Sequence, residues 1–424
     1  MTIREIPTCS ACSLLCPGIE NLELSTLDSC SLRREYLQLS ESDSTYPTRS
    51  PEDLSHEIAQ LLCSRKRPLI WLDGADVQTT RCAVQLCQVT GAAIAVSQST
   101  GQRAVQQVMA SDGWLGTTLA DMRRHSRLIL TLGDRCLENS PLLADRFLSE
   151  LPDRSQRHWY HISGRQPDSW PHRIRPDLHL VWPRSSWYAN VVSLQLGLRR
   201  VGSQSRSVPI DLRLIDALDS SSNTTVMFDQ DELADEHDQM LVQQLLHLCR
   251  YRSQYARCNL LAWDSDVGSV TAQTVLLWLT GCCGFARPTT SGWSSHDSIA
   301  RYAWSDWQEQ FDGILIIRSA PSMRRLPQLS SDITLCENPR SVVAGLHHGF
   351  HPIAAAGLDC DAFFCRSDHA MISFSKGQKP SQVTTAESYA SKRRIAPTAT
   401  ELLSSAARLV RSSRSKHLFT KKLA

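Results

Sequence analysis

From His56 onward, short uninterrupted apolar runs alternate with stretches whose apolar residues recur every three or four positions. The first pattern is that of a strand buried on both faces, the second that of an amphipathic helix. His56 to Ser64 reads as helix and leads into Pro68-Leu-Ile-Trp-Leu72, which ends at Asp73-Gly74; Val77 to Val89 reads as helix and leads to Ala92-Ala-Ile-Ala-Val96. Helices over Arg103 to Met109 and Thr117 to Arg124 precede the run Arg127-Leu-Ile-Leu-Thr-Leu132 before Gly133-Asp134. The pattern returns with an element over Leu212 to Leu218, a helix over Met240 to Tyr251, the strand Asn259-Leu-Leu-Ala-Trp263, a helix over Thr271 to Thr280 and the strand Gly313-Ile-Leu-Ile-Ile317. Apolar strands separated by helices predict an α/β fold with mainly parallel sheets covered on both faces. A strand at Ile333-Thr-Leu-Cys336 and a helix over Thr400 to Arg411 complete the expected elements.

Shifts in this pattern divide the chain. Residues 1–38 form a small cysteine-bearing module, and 39–54 is a linker rich in Ser, Glu, Asp, Thr and Pro. An α/β domain covers 55–154, and 155–207 is an irregular connection rich in Arg, His and Trp with a short strand near Leu178 to Trp182. A second α/β domain covers 208–332, a segment over 333–412 packs on the α/β core, and 413–424 is a basic tail. After Glu401 no acidic residue follows, while Arg408, Arg411, Arg414, Lys416, Lys421 and Lys422 are basic; this end reads as a solvated terminus.

With 424 residues, 42% hydrophobic and 21% charged, the composition excludes collagen-like, coiled-coil and wholly disordered chains. A formal charge of +2 provides no overall field to draw the protein onto nucleic acid or an anionic membrane, and neither is expected as a partner. Met1 to Thr8 has no apolar signal region and no apolar run approaches the ~20 residues of a membrane span, so a cytoplasmic protein is expected.

Fifteen cysteines are an unusual supply of thiols. Cys63, Cys82, Cys87, Cys249, Cys282 and Cys283 lie in apolar or helix-like context and read as small core residues. Cys9-x2-Cys12-x3-Cys16, followed by Cys30, is different: closely spaced thiolates with a remote fourth suit an iron–sulfur cluster, a zinc ion, or a set of free thiols. His347, His348 and His351, ahead of Cys360 and Cys365, read as a surface loop rather than a second metal site. Asp73, Asp134 and Asp264 follow strands where open α/β sheets place ligands, although a helix cap or a turn is the expected role. The acidic run Asp229, Asp231, Glu232, Asp235, Glu236 and Asp238 reads as a solvated helix start. No GxGxxG, Walker-type or GxSxG string supports a nucleotide-binding or serine-hydrolase reading.

Cys9-x2-Cys12-x3-Cys16, Ile19 to Leu22 and Cys30-Ser-Leu-Arg-Arg34 resemble the start of the formylmethanofuran dehydrogenase B-subunit family, and within it the B subunit of the bacterial formyltransferase/hydrolase complex. Leu69 to Gly74, Gly91 to Ile94, Gly113 to Leu119, Leu128 to Gly133, Arg287 to Gln308 and Gly357 to Asp368 follow in the family's order, so the resemblance spans nearly the whole chain.

The resemblance implies a molybdopterin-oxidoreductase-like fold with formate dehydrogenase domains, Rossmann-like parallel-sheet layers and a small N-terminal cysteine module. It implies a four-iron–four-sulfur cluster, or zinc, on Cys9, Cys12, Cys16 and Cys30. In the archaeal enzyme a protein Cys or selenocysteine ligates a tungsten or molybdenum pterin. Here the region after Ile94 reads Ala-Val-Ser-Gln-Ser-Thr-Gly-Gln-Arg, no Cys occurs between Cys87 and Cys136, and Gly101 stands near the ligand's place. The family's glycine-rich turn is replaced over Ser291 to Phe311 by Gly-Trp-Ser-Ser-His-Asp and Trp307-Gln308-Glu309-Gln310. The expected consequence is loss of the molybdopterin or tungsten cofactor, since that chemistry needs a soft protein ligand. No catalytic or pterin-binding residue is assigned. The implied role is that of a structural, non-redox B subunit, with subunits A, C and D as its partners, in tetrahydromethanopterin-linked conversion of formaldehyde to formate. The alternatives are a catalytic tungsten or molybdenum subunit, and a stand-alone zinc or iron–sulfur module.

Overall fold

The computed structural model describes residues 9–16, 30–32, 49–148, 157–166, 174–199, 211–235, 237–295, 310–322, 326, 331–337, 349–356, 360–369, 372–375 and 396–422. From Pro51 the chain runs α1 (Pro51–Ser64), β1 (Pro68–Gly74), α2 (Val77–Thr90) and β2 (Ala93–Val96). It continues through α3 (Thr100–Asp112), α4 (Leu119–His125), β3 (Leu128–Leu132), β4 (His158–Ser163), β5 (Leu178–Val181), α5 (Trp187–Arg199), α6 (Leu212–Ser220), β6 (Asn223–Asp229), α7 (Asp238–Arg252) and β7 (Arg257–Trp263). Then follow α8 (Val267–Thr280), β8 (Phe285–Thr289), β9 (Gly292–Ser294), β10 (Gly313–Arg318), β11 (Ile333–Cys336), β12 (Phe350–Pro352), β13 (Ala362–Cys365), β14 (Ile372–Ser375) and α9 (Ala399–Lys422).

Two units result, and neither is a continuous stretch of chain. The first comprises Met1–Ser97, Asp266–Arg366 and Met371–Ala424; the second comprises Gln98–Ser265 and Ser367–Ala370. The first unit holds a seven-stranded sheet in the order β12-β11-β10-β1-β2-β8-β9, parallel from β12 to β2 and antiparallel at β8 and β9. The second holds a five-stranded sheet, β5-β4-β3-β6-β7, parallel throughout. Strand order reverses between β1 and β10 in one sheet and between β3 and β6 in the other.

The strands form where the apolar runs are. β1, β3, β6 and β10 are buried along their whole lengths, which is the environment of a central parallel strand covered on both faces. Helix boundaries follow local chemistry. Asp76 caps α2 by accepting from Gln78 N at 3.0 Å, Asp266 caps α8 by accepting from Ser269 N at 3.0 Å, and left-handed Gly91 and Gly281 end the same two helices. Ser99 and Gln102 form a reciprocal capping box at the start of α3. Leu402, Leu403, Ala406 and Val410 of α9 join Leu54, Ile58 and Leu62 of α1 in the core of the first unit. A separate core in the second unit gathers Leu130, Val226, Leu246 and Leu260.

Several expectations change. The stretch over 155–207 is more regular than its composition indicates: besides the expected short strand, β5, it holds β4 and the thirteen-residue α5, with Trp159, Trp187, Val191 and Leu194 buried. Polar flanks conceal that periodicity. Cys63 and Cys283 are exposed, whereas Cys82, Cys87, Cys249 and Cys282 are core residues as their context indicates. Most of the linker over 39–54, the Trp307-Gln308 element, and the side chains of 414–424 lie outside the described residues. Among the described residues no helix is long and apolar enough to cross a membrane.

Truncating Ile70, wholly buried at the middle of β1, is expected to cost about 2–5 kcal/mol in Ile70→Ala, read by denaturant unfolding. Leu212→Ala, at a side chain 69% exposed, is expected to change stability by no more than about 0.5 kcal/mol.

Candidate functional site

Open parallel sheets take ligands beyond the carboxyl ends of their strands, where strand order reverses. In the first unit β1 ends there at Asp73-Gly74 and β10 at Arg318. Arg318 Nε donates to Asp73 Oδ2 at 2.8 Å, and a terminal guanidinium nitrogen donates to the same oxygen. Both side chains are buried. Burial acts to lower the Arg318 pKa, but the charges of Asp73, Cys336 and Glu337 reverse this and raise it. At the end of β11, Cys336 Sγ donates to Glu337 Oε2 at 3.1 Å while Oε1 lacks a partner. Burial pushes the Glu337 carboxyl up to about 7, against the pull of Arg318.

Backbone fills the rest of this edge. Ala75 N donates to Gly268 O at 3.2 Å, and Gly74 O accepts from Ser319 N at 2.9 Å and Ala320 N at 3.3 Å. A Cβ on Gly268 would lie 2.5 Å from Ala320 Cβ and 3.0 Å from Gly74 Cα. Glycine is required at 268 by this close approach and at 74 by its φ of 140°, a Cβ at 74 meeting nothing closer than 3.7 Å.

In the second unit β3 is followed by Gly133-Asp134, and β6 ends at Asp229. Glu232, three residues beyond β6, reaches back across this edge, and its Oε1 accepts from Arg135 N at 2.6 Å. A Cβ on Gly133, whose φ is 87°, would lie 2.5 Å from Glu232 Cδ. The protein's own carboxyl group occupies the space beside the strand-to-helix turn. Asp229 is wholly buried; its Oδ1 accepts from Asp231 N at 2.8 Å and its Oδ2 has no partner. Burial, with the charges of Asp231, Asp264 and Glu232, pushes its pKa well above the carboxylate range. Asp238 is also buried and pairs with Arg184. The expectation of a solvated acidic helix start is therefore corrected at Asp229 and Asp238, because β6 carries the first of them into the sheet.

The aspartates following strands are not helix caps either. Asp73 binds Arg318, Asp264 accepts from Gln102, and Asp134 makes no side-chain cap but meets His161 Nε2 at 3.0 Å. His161 is fully buried, its Nδ1 is 2.8 Å from Thr131 Oγ1, and Trp159 Nε1 donates to that same hydroxyl at 2.9 Å. His161 also stacks on His179, whose Nε2 lies 2.7 Å from Ser163 Oγ. His161, Ser163 and Glu337 do not stand out in the sequence, and Glu232 does so only as one member of the acidic run. Arg318 had one available signal, a lone charge closing an otherwise apolar run.

Gly101 lies in the first turn of α3, against the loop after β6. A Cβ at this position would overlap the Gln230 carbonyl oxygen and come within 2.8 Å of its carbon and of Leu233 Cβ. Residue 101 has no room for a side chain, whether alanine or cysteine.

The N-terminal cysteines do gather. Cys9 N donates to Cys16 O at 2.9 Å and Leu15 N to Cys12 O at 3.2 Å, with Leu15 at φ 47° and packed against Val267, Ala320 and Phe364. Burial pushes the Cys12 thiol well up, and the charges of Cys16, Cys9 and Cys30 push in the same direction. The donor chemistry of these thiols suits a soft metal; among the described residues no group of three or more His, Cys, Asp or Glu side chains is arranged to hold a metal ion. Of the second grouping, His347 and His348 lie outside the described residues; among the described residues both ring nitrogens of buried His351 lack hydrogen-bond partners, and Cys365 N is tied to Thr271 Oγ1 at 2.9 Å.

No family model matches the chain, and no curated protein matches its sequence. Its fold is similar to that of a chain in the crystal structure of the formyltransferase/hydrolase complex (FhcABCD) from Methylorubrum extorquens in complex with methylofuran. The TM-score is 0.68 at 17% identity, over 87% of this chain and 98% of that one. The likeness is one of fold, an α/β architecture with parallel-sheet layers.

Two outcomes follow from these sites. Gly101→Ala is expected to destabilise the protein by about 1–3 kcal/mol through overpacking, whereas Gly164→Ala, with nothing within 4 Å of its added Cβ, is expected to be near neutral in the same thermal melts. Glu337 has its pKa raised from 4.5 to about 7, so its stabilising contribution is complete below the unfolded value and fades as pH rises through 7. Wild type should lose roughly 3 kcal/mol relative to Glu337→Gln between pH 4.5 and 8. Parallel stability curves would refute the assignment.

Proposed function

We propose that this protein is a structural, non-redox B-type subunit of a formyltransferase/hydrolase assembly in one-carbon metabolism. The closure of residue 101 is the observation that supports this reading best. Near the place where related enzymes present a soft ligand to tungsten or molybdenum, the Gln230 carbonyl takes the space of a side chain. Glu232 at Gly133 and the Gly74–Gly268 contact fill the two sheet edges in the same sense. The fold likeness, which covers nearly all of both chains and comes from a multi-subunit complex, supports partner subunits of the A, C and D types. In this role the partners transfer and hydrolyse the formyl group, and this chain holds them together in the cytoplasm.

The test is purification of the native assembly from the source cells, followed by elemental analysis for Fe, Zn, Mo and W and a dye-linked formyl oxidation assay. The expected result is co-purification with other subunits, no stoichiometric tungsten or molybdenum, and no dye reduction. Stoichiometric tungsten or molybdenum with pterin would replace the structural reading by the catalytic one. A protein recovered without partners would replace it by a stand-alone module.

A further inference from the structure

Between α1 and α9 the first unit holds a groove of 370 Å3 that the structural role does not use. Pro51, Glu52 and His56 line it from α1, and Leu402 and Leu409 form the apolar part of its α9 side. Glu401 and Arg408 place opposite charges in the same α9 lining.

The helix fixes the spacing of that pair. Residues seven apart lie on one face, two turns and about 10.5 Å along the axis. Each side chain is also tied to a position three residues earlier: Glu401 Oε2 accepts from Thr398 N at 2.9 Å, and an Arg408 guanidinium nitrogen donates to Ser405 Oγ at 2.8 Å. Both therefore lean toward the helix N-terminus, and their charges stay about 10 Å apart instead of meeting. A backbone N–H and a hydroxyl hold these groups without neutralising them, and among the described residues neither forms an ion pair. Leu402 and Leu409 repeat the same spacing one position further round the helix, so an apolar stripe runs beside the two poles.

We propose that this groove binds a linear zwitterion of small-molecule size: an ω-amino acid whose ammonium and carboxylate lie about 10 Å apart on an unbranched chain. The ammonium would meet Glu401, the carboxylate would meet Arg408, and the chain would lie along Leu402 and Leu409. Opposite charges matched at both ends favour this class over a guest with one charge or none. An apolar chain with a single charged end would strip water from the other pole without compensation. The volume lies within the ~300–1,000 Å3 of small-molecule sites. The proposal stands independently of the assembly reading.

The probe is ω-aminooctanoate, which has this span, titrated against the full-length protein at neutral pH and low salt by ligand-observed saturation-transfer NMR. Octylamine and octanoate each lack one charge, and γ-aminobutyrate carries both on a chain too short to reach the two poles. Saturable binding of ω-aminooctanoate is expected, with all three controls at least about fivefold weaker and the interaction weakened by added salt. Glu401→Gln keeps an acceptor for Thr398 N, Arg408→Met keeps an unbranched stem, and each should weaken ω-aminooctanoate at least about fivefold. Both positions are exposed, so thermal melts of the variants should stay close to wild type. The proposal is overturned if ω-aminooctanoate does not bind, if any of the three controls binds as well, or if either folded variant binds it unchanged. Should a variant fail to fold, the four-ligand comparison on wild type decides the matter.

Discussion

The contact of Gly101 with the Gln230 carbonyl is a steric constraint on the second unit. A helix can approach a loop that closely only where the helical residue lacks a Cβ. The approach also positions Gln102, which closes the capping box at Ser99 and donates to Asp264 at the end of β7. One missing side chain therefore sets the seat of α3, the loop after β6, and the carboxyl edge of the sheet together. A ligand-bearing residue at 101 would have to displace all three.

The first unit reaches a similar end by different means. Gly74 and Gly268 bring backbone against backbone, and Asp73 with Arg318 brings opposite charges into a dry interior. A buried ion pair of this kind contributes little net stability, because desolvation offsets the attraction, yet removing one partner leaves an uncompensated charge and is costly. Its effect is to allow one arrangement of β1 and β10. Glu337 sits beside the pair as a carboxyl that burial keeps largely protonated below neutrality. Both sheets thus have the parallel order that creates crevices in open α/β folds, with those edges occupied by the protein's own groups.

Much of the fold is legible in the residues themselves. The runs at Leu69 to Leu72, Leu128 to Leu132 and Ile314 to Ile317 predict central strands because only burial on both faces accommodates continuous apolar side chains. β4 and α5 are less legible, since polar and basic residues interrupt their apolar positions. Site chemistry is the least legible part. Asp73, Asp134 and Asp264 can be picked out as strand-end aspartates, but Arg318, His161 and Gln102, which engage them, lie 245, 27 and 162 residues away.

Local composition and periodicity determined the class of fold and the positions of the central strands. What tertiary structure alone decided is which groups meet at the ends of those strands. Pairing of distant strands brings Gln230 onto Gly101 and Glu232 onto Gly133, and converts an acidic run that reads as solvated into one with Asp229 enclosed. The reason is physical: burial depends on which segments meet, and a one-dimensional pattern records only which residues are able to be buried.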